Sequence, residues 1–287
     1  MSTQTEAGES RLPLARLDQS RQGSIRARVR LIWAFAVRDL RARFTATSLG
    51  LVWTLIVPLA TVIIYSLVFS TIFRGEAPAM GNGHAAVFAV WFFVGLVTWN
   101  VFSQASSGAM GSILGMGPML QKVAIPSYVP VLSSVLTVGI EKTLEASVML
   151  LSLLVFLNIG WTWLLYPFVF LATGLFAAGL GYCLAVANVY FRDTGQIFGI
   201  VLQLWFFLTP IMYTVDMIPE QAHGLPLRSL LAVNPMTEFV GIARALLYDL
   251  TLPPLWAVLY VAVWTIGAVA AAMLVHRRFG QDISEAI

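Results

Sequence analysis

Long apolar stretches almost free of charge recur along this sequence, and they limit what it can fold into. Residues 49–73 contain no Asp, Glu, Lys or Arg; similar stretches cover 85–107, 127–157 (with one charged cluster), 162–189, 194–215 and 255–275. A helix rises about 1.5 Å per residue, so ~20 residues cross the ~30 Å hydrocarbon core of a bilayer. The six stretches predict six crossings, which leave little chain for a water-soluble domain. Only 11% of the 287 residues are charged, against about 25% in a soluble domain. Such a chain works within a membrane: it moves something, anchors something or acts on a lipid.

The basic residues set the topology. Nine of the seventeen Lys and Arg precede residue 49: Arg11, Arg16, Arg21, Arg26, Arg28, Arg30, Arg38, Arg41 and Arg43. With the N-terminus in the cytoplasm, these nine join Lys122, Arg192, Arg277 and Arg278 on that side, thirteen against the three outside, Arg74, Arg228 and Arg244. The asymmetry satisfies the positive-inside rule, and an even number of crossings returns the C-terminus to the cytoplasm. The polar first 48 residues lack the pattern of a cleavable signal peptide. The single cysteine, Cys183, falls within the fourth stretch, so disulfides within the chain play no part.

The predicted fold is therefore all-α and integral to the membrane. Residues 1–25, rich in Ser, Gln, Glu and Arg, read as a disordered cytoplasmic tail. Residues 26–46 read as an amphipathic interfacial helix, with Val29, Ile32, Trp33, Ala36, Leu40 and Phe44 on one face and Arg30, Arg38 and Arg41 on another. Arg43 breaks that pattern. Residues 47–280 form the six-span domain, and 281–287 a short cytoplasmic tail. Between spans five and six, residues 216–254 are too apolar for a solvated loop and predict re-entrant or outer helices. There Asn234-Pro235 reads as an N-cap followed by Pro at the first helical position, with a helix running to about Tyr248.

The motifs exclude several chemistries. No P-loop pattern occurs, and the three histidines, His84, His223 and His276, are too scattered for a metal site or a catalytic triad. The chain thus carries no recognisable energy-converting or hydrolytic site and binds no cofactor or metal of its own. The third stretch carries Glu141, Lys142 and Glu145. Charge at midspan is costly, so it faces the bundle interior, a partner or water. The two glutamates share a face. Lys142 lies about 100° around the helix and is expected to pair only loosely with either. The cluster reads as a packing device, an ion relay or the lining of an aqueous path. Aromatic residues crowd the second and fifth stretches, as an interfacial belt or as a slide for sugar rings. For the slide the candidates are Trp99, Phe102, Trp205, Phe206 and Tyr213. Two G-x-x-x-G pairs, Gly111 with Gly115 and Gly195 with Gly199, are candidates for close helix contact.

Four stretches carry a family resemblance: Asn188-Val-Tyr-Phe-Arg-Asp193, Leu202-Gln-Leu-Trp-Phe-Phe-Leu-Thr-Pro-Ile-Met-Tyr213, Asn234-Pro-Met236 and Leu49-Gly-Leu-Val-Trp53. With the order of elements, they resemble the permease subunit of type-2 ABC exporters of polysaccharides such as O-antigen, teichoic acid and galactan, across roughly residues 28–280. The resemblance implies a homodimer in a bacterial plasma membrane, with two copies of a separate ABC ATPase that supply ATP and Mg. It implies a lipid-linked glycan substrate, surrounding lipids and no nucleic-acid partner. It also implies ATPase contacts at Arg30, Arg38 and Arg41, at Gly117, Pro118 and Lys122, and at the turn of Arg192 and Asp193. An ABC-2 drug exporter is the near alternative. An ion-coupled secondary transporter using Glu141 and Glu145 is the distant one, and a membrane enzyme would need catalytic carboxylates or histidines that the sequence does not cluster.

Overall fold

The computed structural model describes residues 25–45, 52–68, 77–120, 125–217, 227–280 and 283. Lys122, the tails at 1–24 and 284–287, and both ends of the first apolar stretch lie outside the described residues. No strand occurs among the described residues. In chain order the helices are α1 (Ile25–Thr45), α2 (Trp53–Ser66), α3 (Phe88–Gly115), the single turn α4 (Gly117–Leu120), α5 (Tyr128–Val155) and α6 (Tyr166–Tyr190, led in by a 3-10 turn at Trp161–Leu165). Then come α7 (Thr194–Leu208), α8 (Leu227–Val233), α9 (Pro235–Leu247) and α10 (Leu255–Phe279). Three segments are long and apolar enough to cross a membrane: α3, Trp161–Tyr190 and α10. The α5 helix has comparable length, at 28 residues, but carries the three charges.

The apolar stretches locate the helices, but two boundaries differ from the expected spans. The fifth stretch stops being helical at Leu208 instead of residue 215, which leaves 15 residues in α7. Pro210 supplies the reason: the residue before a proline is pushed out of the α region, and Thr209 has ψ 130. The second stretch runs on to Gly115 rather than residue 107, because no proline intervenes before Pro118.

The hub of the bundle is α3, packed by α5, α6 and α9. Its residues from Val90 to Trp99 are buried without interruption. By contrast α10 turns most of its surface outward, including Leu255, Leu259, Val263 and Ile266, as a lipid-facing helix would. Small residues set how closely helices cross. A Cβ on Gly179 would stand 2.5 Å from the carbonyl carbon of Ala268 on α10, and one on Gly181 would collide with Ala109 on α3. The expected G-x-x-x-G contacts are not these. Gly111, Gly115 and Gly199 face open space, and Gly195 meets nothing closer than 3.7 Å. Gly111, Gly115 and Gly195 sit near helix ends, and Gly199 lies exposed on α7.

The two ends of the bundle are built differently. At one end Phe35 of α1, Ile113 and Met116 before α4, Val129 of α5, Val189 of α6 and Ile283 form a single apolar cluster. The Arg residues of α1, the 191–193 turn and the end of α10 collect at this basic end. At the opposite end, backbone carbonyls are tied by side chains. Asn158 Nδ2 donates to the carbonyls of Leu247 and Tyr248, both at 2.9 Å. Thr162 Oγ1 donates to Leu246 O at 2.6 Å, and Tyr248 Oη donates to Pro78 O at 2.9 Å. The Gly81 N–H donates to Tyr248 O at 3.0 Å. A Cβ at Gly81 would overlap the Asp249 carbonyl, so only glycine permits this approach.

Candidate functional site

A charged seam runs through the middle of α5. Glu141, Lys142 and Glu145 are all buried. Glu141 is reached by Arg43, the residue that breaks the pattern of α1, with Nη1 at 3.1 and 3.2 Å from its two carboxylate oxygens. The Arg43 side chain stays 48% exposed, so its stem crosses apolar surface while its head bridges water and the buried carboxylate. Lys142 pairs directly with Glu145, which also accepts a hydrogen bond from Asn100 Nδ2 at 2.8 Å. This corrects the expectation that Lys142 pairs loosely. It holds for Glu141, one residue away, but Glu145 lies three residues on, on the neighbouring turn, where i,i+3 side chains meet.

Beside the seam lies a groove of about 350 Å³ between α2, α3 and α5. The α2 wall is mixed, with Trp53, Val57 and Pro58 beside Thr54 and Thr61; the other carries Asn100, Gln104, Glu141 and Lys142 beside Leu96. A helical bundle in a membrane exposes such polar atoms only to water or to a polar guest.

The aromatic candidates divide in two. Phe102 is wholly buried and Trp99 is 5% exposed. Trp99 meets Phe102 and Phe206, both at 5.6 Å between ring centroids, and Phe102 meets Trp205 at 5.0 Å and Phe176 at 5.3 Å. Both rings are core packing between α3, α6 and α7 and do not face a path in this chain. Trp205, Phe206 and Tyr213 are half-buried. Trp205 Nε1 donates to Asn234 Oδ1 at 2.7 Å, and Asn234 Oδ1 also caps α9 by accepting from Met236 N at 3.0 Å. The expected N-cap therefore also fastens α9 to α7.

Of the expected ATPase-contact residues, those that are described lie at the basic end; Lys122 is outside the described residues. Arg30, Arg38 and Arg41 are exposed on α1. Arg38 Nη1 lies 3.7 Å from Met119 Sδ on α4, the turn that contains Gly117 and Pro118. Arg192 and Asp193 are exposed on the turn between α6 and α7.

Sequence reasoning missed Arg244. Counted there as an outer charge, it is buried on α9. Its Nη1 and Nη2 donate to the carbonyls of Pro210 and Ile211, each at 2.6 Å, and its guanidinium lies 3.5 Å from the Trp91 ring centroid. The signal was present: Arg244 is flanked by Phe239, Val240, Leu246 and Leu247, an apolar run that solvent would not tolerate. Burial raises the nearby Asp249 carboxyl above its ordinary range, and Arg244 opposes that shift.

Apolar membrane-length helices, a paired charged seam and a polar-walled groove describe a multi-pass membrane protein. The family "ABC-2 type transporter" matches residues 30–248, and the chain belongs to it. It is similar to the O-antigen export system permease protein RfbA of Myxococcus xanthus, 33% identical over 90% of this chain and 95% of that protein. RfbA of Klebsiella pneumoniae is 25% identical over 75% of this chain and 79% of that protein. The polysialic acid transport protein KpsM of Escherichia coli is 23% identical, covering 74% and 78% respectively.

Proposed function

We propose that this chain is the transmembrane subunit of an ATP-driven exporter that moves a lipid-linked polysaccharide across the bacterial plasma membrane. In this reading two copies pair, two separate ATPase subunits dock at the basic end, and both termini are cytoplasmic. The observation that carries it is the near full-length similarity to a permease named for O-antigen export. The groove supports it physically. A glycan is hydrated and rich in hydroxyls, so it needs amide and charged partners such as Asn100, Gln104 and Lys142, with aromatic faces alongside. The half-buried Trp205, Phe206 and Tyr213 suit that second role.

Coupling to ATP hydrolysis runs through α1, α4 and the turn of Arg192 and Asp193. Arg43 gives α1 a mechanical link inward, because a displacement of α1 pulls on Glu141 at the groove wall. The ion-coupled alternative is weakened by the same pairs: Glu141 is matched by Arg43 and Glu145 by Lys142, an arrangement suited to fixed structure rather than to ion exchange.

The test is co-expression with a candidate ABC ATPase subunit from the same organism, followed by purification and export assays in vesicles. Equimolar co-elution and ATP-dependent export of a lipid-linked glycan are expected. A chain that purifies without a partner and exports without nucleotide would overturn the reading.

A further inference from the structure

We propose that a second groove, between α5, α6 and α10 at the basic end, is a binding site for an anionic bilayer phospholipid. The groove holds about 330 Å³. Its walls are apolar: Leu132 of α5, Leu175 of α6, and Val269 and Met273 of α10. Leu132, Leu175 and Met273 are exposed and continuous with the outward surface of α10, so acyl chains reach the groove from the bilayer without crossing the bundle.

The head end of this groove is polar. Tyr182 Oη lies 2.7 Å from His276 Nδ1 and 2.9 Å from Ser127 Oγ. Tyr128 packs edge-on against the His276 ring at 5.4 Å. Its hydroxyl is buried and has no hydrogen-bond partner among the described residues. Arg277 lines the same end, and no carboxylate lines the groove. Arg277 forms no ion pair with another described residue. The Tyr128 hydroxyl is occluded as it stands, so it reaches a phosphate only by a turn of its ring toward the groove; a phosphate oxygen would then accept from it and relieve the roughly 1–3 kcal/mol cost of an unpartnered buried hydroxyl, while the phosphate charge meets Arg277.

The site also lies at the right depth. The apolar run of α10 ends at Val275 and is followed at once by His276, Arg277 and Arg278, the pattern of a helix leaving hydrocarbon for the headgroup layer. Charge selects the headgroup. A choline headgroup would set its quaternary ammonium beside Arg277, whereas glycerol would not. The site lies away from the groove of Asn100 and Lys142, so it serves a resident lipid and not the transported molecule.

The experiment titrates the full chain in detergent with phosphatidylglycerol, phosphatidylcholine or a polyprenyl phosphate and reads bound lipid by native mass spectrometry. Phosphatidylglycerol is expected to bind about tenfold or more tightly than phosphatidylcholine, and Arg277→Gln or Tyr128→Phe to weaken it by about tenfold. Neither change removes a hydrogen bond within the described chain, so lipid-free melting temperatures should match the parent. Met273→Trp, which fills the groove, should block binding and serves if either polar variant fails to fold. Equal binding of the two phospholipids, retention in Arg277→Gln and Met273→Trp, or displacement of phosphatidylglycerol by equimolar polyprenyl phosphate would each overturn the proposal.

Discussion

Replacing Arg244 with Met should destabilise the protein far more than a change in an extramembrane segment normally does. The guanidinium satisfies two buried carbonyls, Pro210 O and Ile211 O, each at 2.6 Å. Leaving a buried acceptor unsatisfied costs about 1–3 kcal/mol, and a desolvated cation–π contact such as that with Trp91 is worth about 2 kcal/mol. Against these stands the relief of burying a charge that has no carboxylate within ion-pair distance among the described residues. The net loss is about 3 kcal/mol, or about 6–12 °C in melting temperature for a chain of this size. The assay is thermal unfolding of the purified chain in detergent, followed by tryptophan fluorescence. Arg244→Lys should fall between, since one ammonium replaces a fork that spans two carbonyls. Gly95→Ala should mimic the loss without touching the arginine, because its Cβ would stand 2.7 Å from Nη2. A melting temperature for Arg244→Met within ~2 °C of the parent would refute this account of the interaction.

Lys142→Met leaves Glu145 buried with only Asn100 as a partner and should cost about 3 kcal/mol, whereas Lys142→Met combined with Glu145→Gln should recover most of it; equal losses in both would show that the ion pair is not the source. Gly179→Val should lower the melting temperature through its clash with the α10 backbone, by about 1–3 kcal/mol, while Gly111→Ala should be neutral or stabilising by up to about 1 kcal/mol. The reverse order would restore the G-x-x-x-G reading. Phe206→Ala with Tyr213→Phe should slow glycan export and leave assembly with the ATPase intact; unchanged export would remove these rings from the substrate path. Trp99→Ala cannot test that path cleanly, because truncating a buried Trp costs about 3–5 kcal/mol of stability.

Hydropathy located the helices because burial in lipid demands apolar side chains over a fixed length, and that demand is local. The Asn234 cap was legible for the same reason, since an N-cap is satisfied within its own turn. Three things depended on partners distant in sequence and so were misread. Arg244 looked like a topological charge, and only the folding of α9 back onto residues 210 and 211 makes it structural. Trp99 and Phe102 looked like candidates for a surface, but a run of aromatics does not say which face meets Phe176 and which meets open space. Gly111, Gly115, Gly195 and Gly199 matched a motif that Gly179 and Gly181, with one residue between them and neighbours on two different helices, did not. Lys142 was misjudged at close range, because its angle was taken from Glu141 and the nearer turn of Glu145 was overlooked.

The contrast between the two ends bears on how such a bundle could move. At the α9 end, contacts run from rigid donors to backbone carbonyls: Asn158, Thr162, Tyr248 and Arg244 hold the chain at residues 78, 210, 211 and 246–248. Each bond has a narrow geometric range, so this end resists small displacements and yields only by breaking several bonds together. At the basic end, α1 is held mainly by apolar packing against α5, with a hydrogen bond from Thr137 Oγ1 to Ala36 O at 3.3 Å and the half-exposed ion pair of Arg43 with Glu141 among its polar ties. Side chains can slide there at little cost. A force applied to α1 would therefore pass to the groove wall through Arg43 well before it disturbed the α9 end. If the proposed ATPase docks at α1, that order of compliance predicts a first response at Glu141, with the Arg244 lattice the last element to release.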